Sequence, residues 1–324
     1  MLPAGVTLRV IGDGRIGHEV QSLGLAEALG ATVDFRRIAP RRLFDWLAPV
    51  GPMDPRDAVA IAPPWPDLAI AAGRRALPAL RRLKRDSGGR TFTIYINRPL
   101  TGLGAADFII APRHDAFEGP NVLTPLTPPN RITPERLAAA RLAPDLRVAH
   151  LPRPRAALLI GDAKGLRHDP CAVAATLLAD GFAVMATASR RTPAPLAAAL
   201  QRTLACPGGF FWDSTGENPY LSMLANADRL IVTGDSVNMI GEAVATGAPV
   251  HVLPAFRPRR RIALYLAALE EAGAIAIWDA PLPVPTSPRN ETPEIARRIA
   301  AAWRAARGLD APNVETGLTN PRFF

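Results

Sequence analysis

The chain has 324 residues, 48% of them hydrophobic, and 38 Lys and Arg against 29 Asp and Glu give it a formal net charge of +9. That length predicts two units of about 150 residues with real cores, and the lack of any apolar run of about 18 residues argues against a transmembrane helix. With aromatics at 6%, stacking platforms for single strands are few, so no nucleic-acid partner is expected.

The cysteines, Cys171 and Cys206, lack metal-ligand spacing and read as small buried residues; neither a metal site nor a disulfide framework is expected. Met1 to Val10 enters a strand-like run at once, without the basic and apolar regions of a signal peptide, and this predicts a cytoplasmic protein.

In chain order, Val6 to Ile11 is a strand, followed by Gly12-Asp13-Gly14-Arg15-Ile16-Gly17-His18 and an amphipathic helix that stops at Gly30. Literally this is the dinucleotide fingerprint, with Asp34 as a ribose-binding acid, so a nicotinamide enzyme is one reading. Asp13, Arg15 and His18 instead line the loop with chemistry, which suits a polar substrate. Pro49 to Pro66 reads as loop, and Asp67 to Ala71 as a strand ending at Gly73-Arg74. Thr91 to Ile96 is a strand ending at Asn97-Arg98, and Asp107 to Ala111 is one ending at Arg113-His114. Polar residues thus gather at the C-terminal ends of these strands, the edge where open α/β sheets bind ligands. Asn121 to Leu126 is expected as a last strand, and Thr133 as the N-cap of a helix that begins with Pro134.

A second series of strands begins at Arg155 to Ile160. Phe182 to Ala188 ends at Ser189-Arg190-Arg191-Thr192-Pro193, where arginines can clamp phosphate oxygens. Arg229 to Val232 leads into Thr233-Gly234-Asp235-Ser236 and a short helix carrying Glu242, stopped at Gly247. Free N–H groups and the helix dipole at such a start favour an anion. Glu242, six residues in, can accept hydrogen bonds from a ribose diol. Asp235 is awkward beside a diphosphate and is expected to cap the helix through its side chain. After a basic helix from Arg259, the strand Ala274 to Trp278 and the linker Pro281 to Pro288, a last helix from Thr292 to Arg307 is expected, capped by Thr292. The tail from Asp310 is expected to be loosely held. Strand and helix alternate throughout, which predicts an α/β fold of two doubly wound, Rossmann-like domains facing across a cleft. The expected boundaries are 1–150, 151–285, and 286–324, the last a helix and tail that packs back on the first domain.

The run Asp13 to Glu19 with Gln21 and Gly24-Leu25-Ala26, then Pro112-Arg113-His114-Asp115, Gly119-Pro120-Asn121-Val122, Ser189 to Pro193, Asn218-Pro219-Tyr220, and Asp235-Ser236 through Thr246-Gly247, resembles the mitochondrial fission ELM-type family. Its bacterial members are described as candidate glycosyltransferases or nucleoside-diphosphate-sugar epimerases. The order of polar loop, helix, Glu242 and Pro254-Ala255-Phe256 is also similar to the donor half of GT-B glycosyltransferases, such as the enzyme that adds N-acetylglucosamine to lipid I. There the matching glutamate holds a uridine ribose. The glutamines that read the sugar in that enzyme are replaced here by Arg257 and Arg259 to Arg261, which leaves the sugar unassigned.

These resemblances imply a metal-independent GT-B transferase that moves a sugar from a nucleoside diphosphate, of uridine type, to an acceptor hydroxyl on a glycan or lipid-linked molecule. No further cofactor is expected. Asp13 and His18 are the expected catalytic bases. Ser189, Arg190, Arg191, Asn218, Tyr220, Asp235, Ser236, Met239 and Glu242 are expected on the donor. Gly14, Gly17, Gln21, Arg74, Arg113 and His114 are expected on the acceptor side. An epimerase on the same fold and a non-catalytic, partner-recruiting scaffold are the alternatives. Arg36-Arg37 and Arg41-Arg42 beside Phe44, Trp46 and Leu47 suggest peripheral contact with anionic lipid at the inner membrane face.

Overall fold

The computed structural model describes residues 2–281 and 287–309. The expected tail from Asp310, and most of the linker expected between Pro281 and Pro288, lie outside the described residues.

Two six-stranded parallel sheets carry the fold. The first contains β1 (Thr7–Gly12), β2 (Thr32–Arg37), β3 (Leu68–Ala72), β4 (Phe92–Ile96), β5 (Phe108–Ile110) and β6 (Val122–Leu123), in the order β2-β1-β3-β4-β5-β6. The second contains β7 (Arg155–Ile160), β8 (Ala183–Ala188), β9 (Gly209–Trp212), β10 (Arg229–Thr233), β11 (Val250–Leu253) and β12 (Ala276–Ile277), in the order β12-β11-β10-β7-β8-β9. Central strands such as Leu68–Ala72 and Arg155–Ile160 are buried along their whole length, as helices on both faces of a parallel sheet require. The expected strand Asn121 to Leu126 shortens to Val122–Leu123.

The helices in the first part of the chain are α1 (Ile16–Leu29), α2 (Arg42–Leu47), α3 (Leu77–Asp86), α4 (Pro134–Leu142) and α5 (Leu146–Ala149). Those that follow are α6 (Pro170–Ala179), α7 (Ala194–Thr203), α8 (Tyr220–Asn226), α9 (Val237–Val244), α10 (Arg260–Glu271) and α11 (Thr292–Ala306). Thr133 caps α4 by accepting from the Arg136 N–H, with Pro134 at its first position. The Pro-rich segment expected as loop contains a 3-10 helix over Pro55–Ile61, capped by the Asp54 side chain.

Strand order places the ligand edge. In each sheet the chain reverses its direction of winding once, between β1 and β3 and between β7 and β10. The loops leaving those four strands diverge there and open a crevice. They are Asp13 to Arg15, Gly73 to Ala76, Gly161 to Asp169, and Gly234 to Ser236.

The first sheet's core includes Leu8, Leu25, Leu29 and Ile70, and it is completed by Ile295, Ile299 and Trp303 of α11. The second core includes Leu159, Val232, Ile240 and Tyr265. It also takes Leu137 of α4 and Val148 of α5, two helices expected with the first half. Their apolar faces meet α8, and Arg141 Nε donates to the Ala225 carbonyl at 2.8 Å. The chain therefore crosses between sheets in the segment 125–132 and returns ahead of α11, and the crossings are tied together. Leu126 N–H donates to Glu291 Oε2 at 2.7 Å, and Asn130 N–H donates to Thr292 Oγ1 at 3.0 Å. Thr292 is thus spent on this tie and does not cap α11, whose N-cap is Glu291 with no side-chain bond to the helix start.

Cys206, expected buried, is exposed, and Cys171 is half-buried. Cys206 lies in the turn after α7, where no apolar layer covers it. Among the described residues no helix is long and apolar enough to cross a membrane.

Candidate functional site

The two ligand edges face each other across a cavity of about 260 Å³. From the first half it is lined by His18, Gln21, Asn97, His114 and the turn Pro125 to Pro129; from the second by Arg191, Asp235 to Asn238, and Arg261.

His18 sits on the first turn of α1, and its Nδ1 lies 2.9 Å from Asp13 Oδ2. Asp13 is buried, and its other oxygen accepts from the Arg15 N–H at 3.1 Å. A carboxylate fixed this way holds the imidazole with a proton on Nδ1 and the Nε2 lone pair free for the cavity. The ring rests on the backbone of Gly73, where a Cβ would stand 2.2 Å from His18 Cε1; Gly73 also has φ +80°, so a side chain is refused twice. Asp13 thus holds the imidazole from behind, and of the pair it is His18 that lines the cavity.

Opposite, α9 begins at Ser236, which makes no side-chain cap, so the first-turn N–H groups rely on other partners. Asp235 does not cap them. Its carboxylate accepts from the Asp162 N–H at 2.9 Å and the Thr233 hydroxyl at 2.8 Å, and pairs with Arg191 at 3.0 Å. This turn is possible because residue 161 is glycine: a Cβ there would lie 2.5 Å from Asp235 Oδ1. Three strand ends are knotted together, and Arg191 is held at the cavity.

The halves touch across the cleft. Gln21 Nε2 donates to Asn238 Oδ1 at 2.6 Å, and Gly17 leaves room for Asn238, whose Nδ2 would lie 2.2 Å from a Cβ. Arg261 Nη2 donates to Asp115 Oδ2 at 2.7 Å, and Tyr265 packs against His114 with ring centroids 5.2 Å apart. Gln21 Oε1, Thr127 Oγ1 and His114 Nδ1 are buried on this cavity without a hydrogen-bond partner. Buried polar atoms are costly to leave unpaired, and these three give the cavity wall groups that can bond to a polar molecule. Burial lowers the His114 pKa, against the opposing pull of Asp115. Asn97 carries φ +97°, a strained backbone on the cavity wall.

Glu242 lies about 9 Å along α9 from Ser236 and does not border this cavity. Its Oε2 accepts the Tyr220 hydroxyl at 2.8 Å. Burial pushes its carboxyl up to about 7, with the Tyr220 hydroxyl pulling the other way. Tyr220 itself is pushed well above its ordinary value by burial and by Glu242.

Other expected residues are spent elsewhere. Arg74 donates to the Ala48 carbonyl at 2.9 Å and to Asp45 at 2.8 Å, so it anchors α2 and not the cavity. Ser189 donates to the Gly161 carbonyl at 3.1 Å, tying β8 to β7. Asn218 holds the start of α8 through the Tyr220 N–H and lines a separate cavity between α4 and α8. Arg113 and Arg190 are exposed and do not border the central cavity, and Met239 packs against the second core. Gly14 has φ +78°, with its N–H donated to Glu19 Oε1 at 3.0 Å. Asp34 pairs with Arg9 and Arg36. In register it faces Arg9, about 10 Å back from the loop at Gly12, so the dinucleotide fingerprint has no ribose acid.

Asn238, Thr127 and the Asp115–Arg261 pair were not singled out from the sequence. Asn238 carried a signal, a polar residue inside an apolar helix turn. The other contacts join distant segments and carried none.

The solved structures most like this one include S. aureus MnaA in its UDP co-structure, at 11% identity and a TM-score of 0.50, covering 94% of this chain and 87% of that one. A protein described as a UDP-N-acetylglucosamine 2-epimerase from Listeria monocytogenes gives 13% identity and a TM-score of 0.50, covering 96% of this chain and 99% of that one. Likeness at these identities establishes the fold: two doubly wound, Rossmann-like domains in the GT-B arrangement. In sequence, the mitochondrial fission protein ELM1 of Arabidopsis thaliana is 29% identical, across 75% of this chain and 65% of that protein, less than two thirds of its length. The family described as mitochondrial fission ELM1 matches residues 16–303, and the chain belongs to that family.

Proposed function

We propose that the chain is a nucleotide-sugar enzyme of GT-B type, transferring a sugar from a nucleoside diphosphate to an acceptor hydroxyl in the cleft. One observation carries this reading: the His18–Asp13 pair faces the uncapped start of α9 across a single cavity whose wall holds three unpartnered buried polar atoms. In the reaction, the acceptor oxygen attacks the anomeric carbon while its proton passes to His18 Nε2. The bond from that carbon to the diphosphate breaks, and the departing charge falls on the α9 N-terminus and Arg191. Glu242 takes the ribose hydroxyls, with Tyr220 setting its orientation, and a uridine nucleotide is the expected donor.

A thermal-shift screen of UDP, GDP, ADP, CDP and dTDP tests this, because a ligand of the folded state raises apparent stability with its affinity. Glu242→Gln is expected to weaken the nucleotide found by about 10-fold or more. The pH dependence separates two effects. The folded carboxyl sits at about 7 against an ordinary 4.5, so its contribution to stability is complete below 4.5 and is lost as pH rises through 7. Glu242→Gln is therefore expected to melt above wild type at pH 8.5, by up to about 3 kcal/mol, and level with it at pH 4. Nucleotide affinity of the wild type runs the other way, rising toward pH 8 as the carboxylate forms. A variant that binds every nucleotide as wild type does would sink the ribose role.

A second reading, a nucleoside-diphosphate-sugar epimerase, is favoured by two imidazoles, His18 and His114, on one cavity. Conversion of a nucleotide sugar without added acceptor would select it.

For the acceptor we propose a glycan or lipid-linked molecule met at an anionic membrane surface, the protein being cytoplasmic and peripheral. Leu43, Trp46 and Val50 in and just beyond α2 are 61%, 78% and 72% exposed, beside Arg41 and Arg42, and Ile16 at the start of α1 is 57% exposed. Flotation with vesicles of phosphatidylglycerol is expected to carry the wild type and to lose Trp46→Ser/Leu43→Ser by about 10-fold. Equal flotation of both proteins, or of neither, rejects the membrane surface.

A further inference from the structure

Beside the central cavity lies a second one, of about 520 Å³, sharing with it His114, Arg191, Asp235, Val237 and Arg261. Its outer wall is made by two loops locked together. Leu166 and Ala255 form an antiparallel bridge, Arg167 N–H donates to the Pro254 carbonyl at 2.9 Å, and Phe256 N–H donates to the Gly165 carbonyl at 2.8 Å. Lys164 and Arg257, which flank that pairing in sequence, line the space together with Arg259 and Arg261.

The charges do not balance. Five cations, Lys164, Arg191, Arg257, Arg259 and Arg261, line this space with two carboxylates, Asp162 and Asp235. Arg191 is answered by Asp235, Arg261 by Asp115, and Lys164 distantly by Asp162 at 3.7 Å. The side chains of Arg257 and Arg259 have no hydrogen-bond or ion-pair partner among the described residues. Arg259 is moreover the N-cap of α10, without a side-chain cap, and the first turn contains Arg260 and Arg261 but no acidic residue. Cations at the positive end of a helix are unfavourable unless an anion joins them. The start of α9 opens on the same space, equally uncapped. His114 borders it too, with its side chain 4% exposed and Nδ1 unpartnered. A diphosphate at the shared wall of the two cavities occupies the α9 start and Arg191, and leaves Arg257 and Arg259 unanswered.

We infer that this second cavity takes a carboxylate carried by the sugar of the donor, so that the substrate class is a nucleoside-diphosphate sugar acid rather than a neutral sugar. The inference rests on the nucleotide-sugar reading above and adds to it the chemistry of the transferred group. Arg257 and Arg259 offer planar donor forks matched to a carboxylate, and both belong to the half that also carries Glu242 and α9.

The test is calorimetric binding of two matched pairs, UDP-glucose with UDP-glucuronate and GDP-mannose with GDP-mannuronate, together with UDP and GDP alone. Wild type is expected to bind the acidic member of a pair at least about 10-fold more tightly than the neutral one, about one charge-assisted pair's worth. In R257Q/R259Q that ratio is expected to fall to within about twofold. The ratio is insensitive to any general loss of diphosphate affinity in the variant. Far-ultraviolet circular dichroism and melting confirm that the variant folds, and single R257Q and R259Q variants are expected to fall between. Equal binding of acidic and neutral sugars by wild type overturns the inference while leaving the donor site standing if UDP or GDP binds. A preference that survives in the double variant overturns it as well, by placing the recognition elsewhere. Failure of both diphosphates and all four sugars overturns this inference, and the donor reading falls with it if ADP, CDP and dTDP also fail in the screen.

Discussion

His18→Ala is expected to lower turnover of a nucleotide sugar by about 100- to 10,000-fold, the range for losing a positioned general base. The nucleotide's dissociation constant is expected to stay within about twofold, because His18 lies on the first half and the proposed diphosphate seat on the second. Release of the diphosphate from a donor identified by the screen is the measurement, with water as acceptor if no better one is known. Asp13→Asn is expected to give a smaller loss, since it removes the partner that orients the ring and leaves the ring itself. Gly73→Ala should resemble His18→Ala in rate while the fold is kept, for the added methyl needs the space the imidazole occupies. If His18→Ala turns over at the wild-type rate, the base is elsewhere and the transferase mechanism falls.

The largest loss of stability is expected from Gly24→Ala. A glycine in mid-helix costs about 1 kcal/mol relative to alanine, so alanine would ordinarily strengthen α1. Here the Cβ would stand 2.3 Å from the Asn130 carbonyl oxygen and 2.5 Å from its carbon. Neither can yield, because Asn130 is bonded to Thr292 and its own side chain accepts from the Ile132 N–H at 2.9 Å. The expected cost is about 3 kcal/mol, the upper range for an overpacked site, read from urea unfolding. Gly104→Ala, with an ordinary φ and nothing within 4 Å, is the control and should be near neutral. A Gly24→Ala protein within about 0.5 kcal/mol of wild type would mean that the crossing segment moves freely.

What the sequence disclosed followed from local physics. Alternating apolar strands and capped helices announced two doubly wound units, and polar residues at strand ends pointed to the cleft, because the C-terminal edge of a parallel sheet is where chain ends stop pairing. His18, Gln21, Arg191 and Ser236 do meet there. Arg74 and Ser189 looked equally suited, yet their partners, the Ala48 and Gly161 carbonyls, sit on other elements. Whether a polar side chain faces a ligand or ties two loops is decided by tertiary neighbours, which spacing does not encode. Asp235 illustrates the same limit: its side chain turns away from the helix only because residue 161 lacks a Cβ. The course of the chain between the halves was least legible. α4 and α5 have no special pattern, and their allegiance to the second core rests on α8, some eighty residues further on.

The last helix gives the molecule an order of assembly. Ile295, Ile299 and Trp303 close the core that Leu8, Leu25 and Leu29 begin. On the ribosome, the first sheet emerges with one flank uncovered and stays so until α11 follows, whereas the second sheet's core is drawn from the chain around it. The half made first is thus finished last, and a nascent chain that stalls before residue 292 presents a bare apolar flank for chaperones to guard.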